Sequence, residues 1–312
     1  MTSQLEWLGH IWRTLERLLG TPSDVGPGDD PEAIALLRRA EDARRAGRRE
    51  EAAALYRDVL RRLRGYVPAL RGLRDVLLET RQWSEALATQ QRLLALVSPA
   101  ERSRETEWLA VIHYEAGRAA LADGRAATAI AELKNAVRAD RHFVPAAVAL
   151  GDAHEAAGDH REAVRVWERA AETHPILPLL ARLERTYRDE GRPTRMIALY
   201  RSAVERAPDD LSLAAALGRV YFELEMLDEA ADQFEKVEVR APDLPVVHAF
   251  LGAVFERRGD VREAFDEYRR ALRLGHGFDW PHRCTACGSE AVMWQDRCPS
   301  CRRFNTLKPA AS

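Results

Sequence analysis

The sequence predicts an all-α fold, a superhelical solenoid of paired antiparallel helices that ends in a small four-cysteine metal knuckle. Three observations carry that prediction. Hydrophobic residues make up 46% of the chain and charged ones 31%, against 7% aromatics, an Ala/Leu/Arg/Glu-rich mixture that favours packed helices over disorder. A pattern of turn, acidic residue, small residue and an aromatic four positions later recurs at a period near 34 residues. All four cysteines of the 312 residues fall within "CTACGSEAVMWQDRCPSC", residues 284–301.

Charge and hydropathy narrow the function classes. With 47 basic residues against 49 acidic ones, the formal net charge is −2, without the basic excess of a bulk polyanion binder. No run of about 18 apolar residues marks a spanning helix. The first residues lack the charged start, apolar middle and small-residue cleavage site of a secretory signal. Together these point to the cytoplasm, where clustered cysteines are metal ligands more often than disulfides.

Over residues 1–19, Leu5, Leu8, Ile11, Trp12, Leu15, Leu18 and Leu19 recur at helical spacing, with Glu6, Arg13, Glu16 and Arg17 opposite. This amphipathic helix either packs on the helical array or lies peripherally in a membrane interface, with Trp7 and Trp12 at headgroup depth. "GTPSDVGPGDDP", residues 20–31, reads as a flexible linker.

Residues 32–276 form the array. Aligning the pattern places its small residue at Ala52, Ala86, Ala129, Ala163, Met196, Ala230 and Ala264, in steps of 34, 43, 34, 33, 34 and 34. About seven units are expected, the fifth irregular at Met196. The 43-residue step, around "SPAERSRETE" (98–107), predicts an insertion or a lengthened helix. A glycine column holds Gly117, Gly151, Gly218 and Gly252, and closing prolines appear at Pro175, Pro208 and Pro242. Aromatics recur at Tyr187, Tyr221 and Phe255 in the first helix, and at Tyr56, Trp167, Tyr200, Phe234 and Tyr268 in the second. Small residues let paired helices approach, aromatics fill the gaps between pairs, and proline stops one helix before the next.

This pattern resembles the tetratricopeptide repeat, a pair of antiparallel helices. The resemblance implies a concave groove lined by first helices, whose offsets fall on Arg118, Asp152, Arg185, Arg188, Arg219 and Phe222. Four arginines of six suit an acidic or C-terminal carboxylate partner, although arginine is abundant throughout this chain and serves first to solvate a surface.

Residues 277–312 hold Cys284-x2-Cys287, ten residues, then Cys298-x2-Cys301. Two intervening residues let a tight turn aim both sulfurs inward, so two facing knuckles supply four thiolates for one zinc or iron ion. Gly288 comes directly after the first knuckle, where left-handed backbone is wanted. Residues between the knuckles, including Met293 and Trp294, suffice for a short hairpin. Trp280, Trp294 and Phe304 are expected to cover the site, and His282 to stand by. With no open coordination position, the metal is structural, and a segment this small folds with its ion.

The repeats joined to "HRCTACGSEAVMWQDRCPSCRRFNTLKP" resemble the lipopolysaccharide assembly protein B family, whose repeats end in a rubredoxin-type, zinc-ribbon-like domain. "VIHYEAGRAALADGRAATAIAELKNAVRAD" (111–140) is similar to the family's central repeats, and the resemblance covers roughly residues 32–309. Phe304 stands where the family commonly has tryptophan. Family members begin with a transmembrane helix; here only the amphipathic helix 5–19 is found, so the chain is expected to be soluble, peripheral at the cytoplasmic face of the inner membrane, or to start upstream.

The resemblance implies a non-enzymatic adaptor that presents the deacetylase of the lipid A pathway to a membrane AAA+ protease. Two other readings stand beside it: a zinc ribbon contacting nucleic acid, and an iron electron carrier. The first meets a slightly acidic chain without a G-x-x-x-x-G-K-[ST] loop. For enzyme chemistry, no G-x-S-x-G or H-E-x-x-H stretch occurs and the nine histidines form no spaced constellation.

Overall fold

The computed structural model describes residues 30–274 and 281–310. The expected helix 5–19, most of the expected linker and Trp280 lie outside them. The described residues form fourteen helices and three short strands. The first pairs are α1 (Pro31–Arg45) with α2 (Arg49–Arg62), and α3 (Val67–Glu79) with α4 (Trp83–Leu96). Then come α5 (Pro99–Ala122) and α6 (Ala126–Ala139), followed by the pair α7 (Val144–Ala156) with α8 (His160–Thr173). The last three pairs are α9 (Leu177–Asp189) and α10 (Pro193–Arg206), α11 (Leu211–Glu223) and α12 (Leu227–Arg240), and α13 (Pro245–Arg258) and α14 (Val261–Leu274). The 43-residue step is a lengthened helix: α5 has 24 residues, where α3, α7, α9 and α11 have 13.

Local chemistry explains where the helices begin and turn. Asp30, Asp159 and Asp210 accept hydrogen bonds from the first backbone N–H groups of α1, α8 and α11. Proline opens α1, α3, α7, α9, α10 and α13, where its missing N–H has no helical partner to lose. Five residues before each small residue the chain turns through left-handed backbone. Gly47, Gly124, Gly158, Gly191 and Gly259 take that position in five pairs, and Arg81 (φ 59°) and Glu225 (φ 60°) take it in two.

The chain divides into two compact units, Met1–Ala119 with Arg138–Asp140, and Ala120–Val137 with Arg141–Ser312. In the first, Tyr56, Leu70, Leu77, Ala86, Leu93 and Ile112 form a buried core. In the second, Trp167, Leu179, Leu183, Tyr200, Leu213, Phe234, Val247 and Val254 do the same. The glycine column has a steric cause. A Cβ at Gly151 would lie 2.0 Å from Trp167 Nε1, at Gly218 2.9 Å from the Phe234 ring, and at Gly252 2.8 Å from the Tyr268 ring.

Where the column breaks, charge replaces shape. Arg74 and Glu184 occupy the glycine position of their pairs, and both are buried. Arg74 donates to Gln90 and Glu105 and lies 4.0 Å over the Trp108 ring. Glu184 accepts from the Tyr200 hydroxyl at 2.6 Å and from Arg219 at 2.6 and 3.0 Å. Burial opposes its charge, but Arg219, Tyr200 and Arg188 outweigh burial and hold its carboxyl below the usual carboxylate range. Only three of the 47 basic residues are lysine, and arginines bridge neighbouring pairs repeatedly, as in Arg49–Glu79, Arg71–Glu101 and Arg258–Asp228.

The C-terminal segment is a three-stranded antiparallel sheet of order β2-β1-β3, from β1 (His282–Cys284), β2 (Glu290–Ala291) and β3 (Leu307–Pro309). In register, Arg283 faces Glu290 and Lys308, and Cys284 faces Leu307. The hairpin therefore spans the first knuckle rather than the residues between the knuckles. Pairing β1 with a strand beyond the second knuckle closes the two turns on each other.

Candidate metal centre

Both knuckles are built alike. In the first, the N–H of Gly288 donates to the Cys284 carbonyl and that of Cys284 to the Ser289 carbonyl. In the second, the N–H of Arg302 donates to the Cys298 carbonyl and that of Cys298 to the Arg303 carbonyl, all four bonds being 2.9–3.0 Å. The fourth residue after each leading cysteine is left-handed, Gly288 at φ 75° and Arg302 at φ 62°. This repeated turn aims all four sulfurs into one space, within 4.8 Å of one another.

Cys284 Sγ lies 3.7 Å from Cys301 Sγ, and Cys287 Sγ 3.8 Å from Cys298 Sγ. Four sulfurs at about 2.3 Å from a central ion have tetrahedral edges of about 3.8 Å, so the spacing fits a thiophilic ion. It is far beyond the ~2.05 Å of a disulfide, and all four cysteines are free. Small hydroxyls surround the sulfurs. Thr306 Oγ1 is 3.2 Å from Cys284 Sγ, and Ser289 Oγ is 3.1 and 3.3 Å from Cys287 and Cys298 Sγ.

These neighbours sort the thiols. The Ser289 hydroxyl and the Cys301 N–H hold Cys298 down at about 6, and the Thr306 hydroxyl lowers Cys284. The Arg303 N–H lowers Cys301, but burial and its neighbouring sulfurs win and push it up to about 11. Four thiolates this close repel one another, and a bound cation removes the conflict. Zinc and iron both accept such a set, and the ion supplies a cross-link between the knuckles.

The site is tied to the repeats of its own unit. Trp294 and Leu307 pack on the buried cysteines. Phe304 turns the other way: its ring meets Phe143 edge-on at 5.7 Å, with Arg297 4.2 Å over it. Asn305 Nδ2 donates to the His142 carbonyl at 3.2 Å, just ahead of α7. His282, on β1, is buried.

Residues 282–309 match the family described as a rubredoxin metal binding domain, and residues 114–178 and 187–254 match tetratricopeptide repeat families. The chain carries tetratricopeptide repeats and a rubredoxin-type metal-binding domain.

It is similar to lipopolysaccharide assembly protein B.

That protein from Escherichia coli strain K12 is 22% identical over 290 residues, spanning 88% of this chain and 71% of the relative; its counterpart from Escherichia coli O157:H7 matches equally. Among solved structures, MamA MSR-1 matches with TM-score 0.38 and 24% identity, covering 53% of this chain and 95% of that one. MamA from Desulfovibrio magneticus RS-1 gives 0.40 and 21%, covering 53% and 94%.

The six groove positions lie on first helices, α5, α7, α9 and α11. Most are engaged within the array. Asp152 pairs with Arg182 at 2.5 and 2.8 Å, and Arg185 with Glu155 at 2.6 Å. Arg188 reaches Glu184 and Glu223, and Arg219 reaches the same two carboxylates. Arg118 lies 5.5 Å over the Tyr114 ring, and Phe222 carries Arg257 at 4.0 Å and meets Phe250 edge-on.

Two further features have no counterpart in the sequence motifs. In the first unit, α1 and α3 enclose a cleft of about 590 Å³ lined by Glu41, Arg44, Arg45, Arg71, Asp75 and Glu79, with charges in balance. In the second, Glu238, His248 and Glu267 bring three ligand atoms within 4.8 Å. There Arg270 bridges both carboxylates and His248 donates to the Pro242 carbonyl, so the group is a satisfied ion-pair network. The break of the glycine column at Glu184 was the available signal for buried charge; nothing local pointed to Thr306, Ser289 or His142.

Proposed function

We propose that the chain is a non-enzymatic adaptor in the regulation of lipopolysaccharide assembly. Cys284, Cys287, Cys298 and Cys301 hold one structural ion, and the knuckle and repeats together offer a composite protein-binding surface. The observation that carries this reading is the pairing of tetratricopeptide repeats with a metal-binding domain seated on them through Phe304 and Asn305, in a chain similar to lipopolysaccharide assembly protein B. The partners are proteins, in the finer reading the lipid A pathway deacetylase as client and a membrane AAA+ protease as its destination. Arg118, Asp152, Arg185, Arg188, Arg219 and Phe222 face the partner. Because internal carboxylates already match Arg185, Arg188 and Arg219, an acidic segment gains most at the exposed ends, where Arg185 and Arg188 show 57% and 51% of their side chains.

No helix among the described residues is long and apolar enough to cross a membrane. The place of action in this reading is the cytoplasmic face of the inner membrane. Affinity capture from the native host tests it, comparing the full chain with Phe304→Ala and with a chain lacking residues 277–312. Deacetylase and protease should co-purify with the full chain and fall away from both variants. Recovery of neither, or equal recovery by all three, would refute the proposal.

A further inference from the structure

The outward side of α14 is uncovered in a way no earlier second helix is. Phe265, one residue past the small position, is 60% exposed, and Leu272, eight past it, is 79% exposed. At the first position, Leu87, Ile130, Val164 and Ile197 are half-buried and Ala53 and Ala231 buried. At the second, Leu60 and Ala171 are buried and Val204 half-buried. In a stack of helix pairs this face receives the next pair, and no further pair comes after α14 among the described residues. Val261, 73% exposed, extends the stripe by one helical turn.

The charges beside the stripe are also left over. Arg257, Arg258 and Arg270 pair with carboxylates. Arg262, Asp266 and Arg273 make no ion pair with any described residue, and Arg269 lies over the Phe265 ring at 5.5 Å. Asp266 precedes Arg269 and Arg273 by three and seven residues, on the flank that borders the stripe. Reversing the helix against itself brings the same flank of both copies together and therefore sets an acid opposite two bases.

We propose that α14 is a self-association surface, on which two copies pair antiparallel about a two-fold axis near Tyr268. Phe265 of each copy covers Leu272 of the other, and Asp266 of each lies beside Arg269 and Arg273 of the other. The face is used twice and closes, whereas docking onto a different face of the second copy would run on without closing. Two large apolar side chains per copy make a small interface, so the dimer forms in the micromolar range.

Sedimentation of the metal-loaded full chain from ~1 to ~100 μM tests this, since a micromolar equilibrium crosses its midpoint there. The mass should rise from 35.2 kDa toward twice that value. Phe265→Glu and Leu272→Glu, both at exposed positions and checked for unchanged helicity, should each weaken the dimer at least ~10-fold. Asp266→Arg should weaken it too, and adding Arg269→Asp with Arg273→Asp in the same chain should restore it. A monomer at every concentration, a dimer indifferent to Phe265→Glu, or failure of the charge reversal to restore pairing overturns the proposal.

Discussion

At the scale of single residues, the array depends on positions where one atom more or less decides packing. The left-handed turn shows this most directly, since it recurs seven times but carries glycine at five of them. At Arg81 a side chain is held in backbone that glycine adopts freely. Arg81→Gly should therefore stabilise the first unit by about 0.5–1 kcal/mol, and Gly158→Ala should cost about 1 kcal/mol, in urea unfolding. Gly151 is stricter, because a methyl there would overlap the buried Trp167 ring. Gly151→Ala is expected to cost about 3 kcal/mol, at the upper end of overpacking, with Trp167 fluorescence altered. Among the cysteines, Cys298→Ser removes one of four thiolates. Metal content, read by elemental analysis, should fall from one ion per chain to near none, with the helical signal of the array retained.

Between elements, the informative contact is Glu184, which joins α9, α10 and α11 by accepting from Tyr200 and Arg219. Removing it leaves Arg219 half-buried without its main counter-charge. Glu184→Ala should cost about 3–5 kcal/mol, the range for breaking a buried pair from one side. The pH dependence comes from the direction of its shift. Its folded carboxyl lies below the unfolded value of 4.5, so its contribution is complete above that pH and fades as pH falls through the folded value. Thermal melts taken from about pH 7 down to about pH 3 should show acid destabilisation that is smaller in Glu184→Gln, which has no proton to take up at that site. Equal acid sensitivity in the two proteins would remove Glu184 from the account. Exposed bridges such as Arg49–Glu79 should each contribute under ~1 kcal/mol.

Over the whole molecule, the metal domain and the repeats divide the labour between a small segment that folds around an ion and an array that folds around its own core. A strong chelator should therefore unfold residues 281–310 while leaving most of the far-UV helical signal, since the described helices lie outside that segment. Limited proteolysis should then cut near the knuckles, where the metal-loaded protein resists. If the helical array melted along with metal loss, the independence of the two cores would be disproved. The seat of Phe304 on Phe143 is where the two parts meet within one unit, so Phe304→Ala should speed cleavage of the knuckle without changing metal content.

Much of this was legible in the sequence, because the signals are local or strictly periodic. A 34-residue repeat of small, glycine and aromatic positions reports how two adjacent helices must touch, and two Cys-x2-Cys turns report a thiolate cluster whatever surrounds them. The lengthened α5 was one of two readings of a single irregular step, and only the tertiary structure separated them. The partners of charged side chains belong to the tertiary structure alone. Arg219 finds Glu184 across 35 residues and Asn305 finds His142 across 163, contacts that depend on how helices stack and where the sheet lands. Composition sets how many arginines and carboxylates the chain carries; packing decides which neutralise each other and which stay free on α14. Spacing along a chain encodes the shape of a turn or a helix face, whereas the distance between remote side chains exists only once the core has closed.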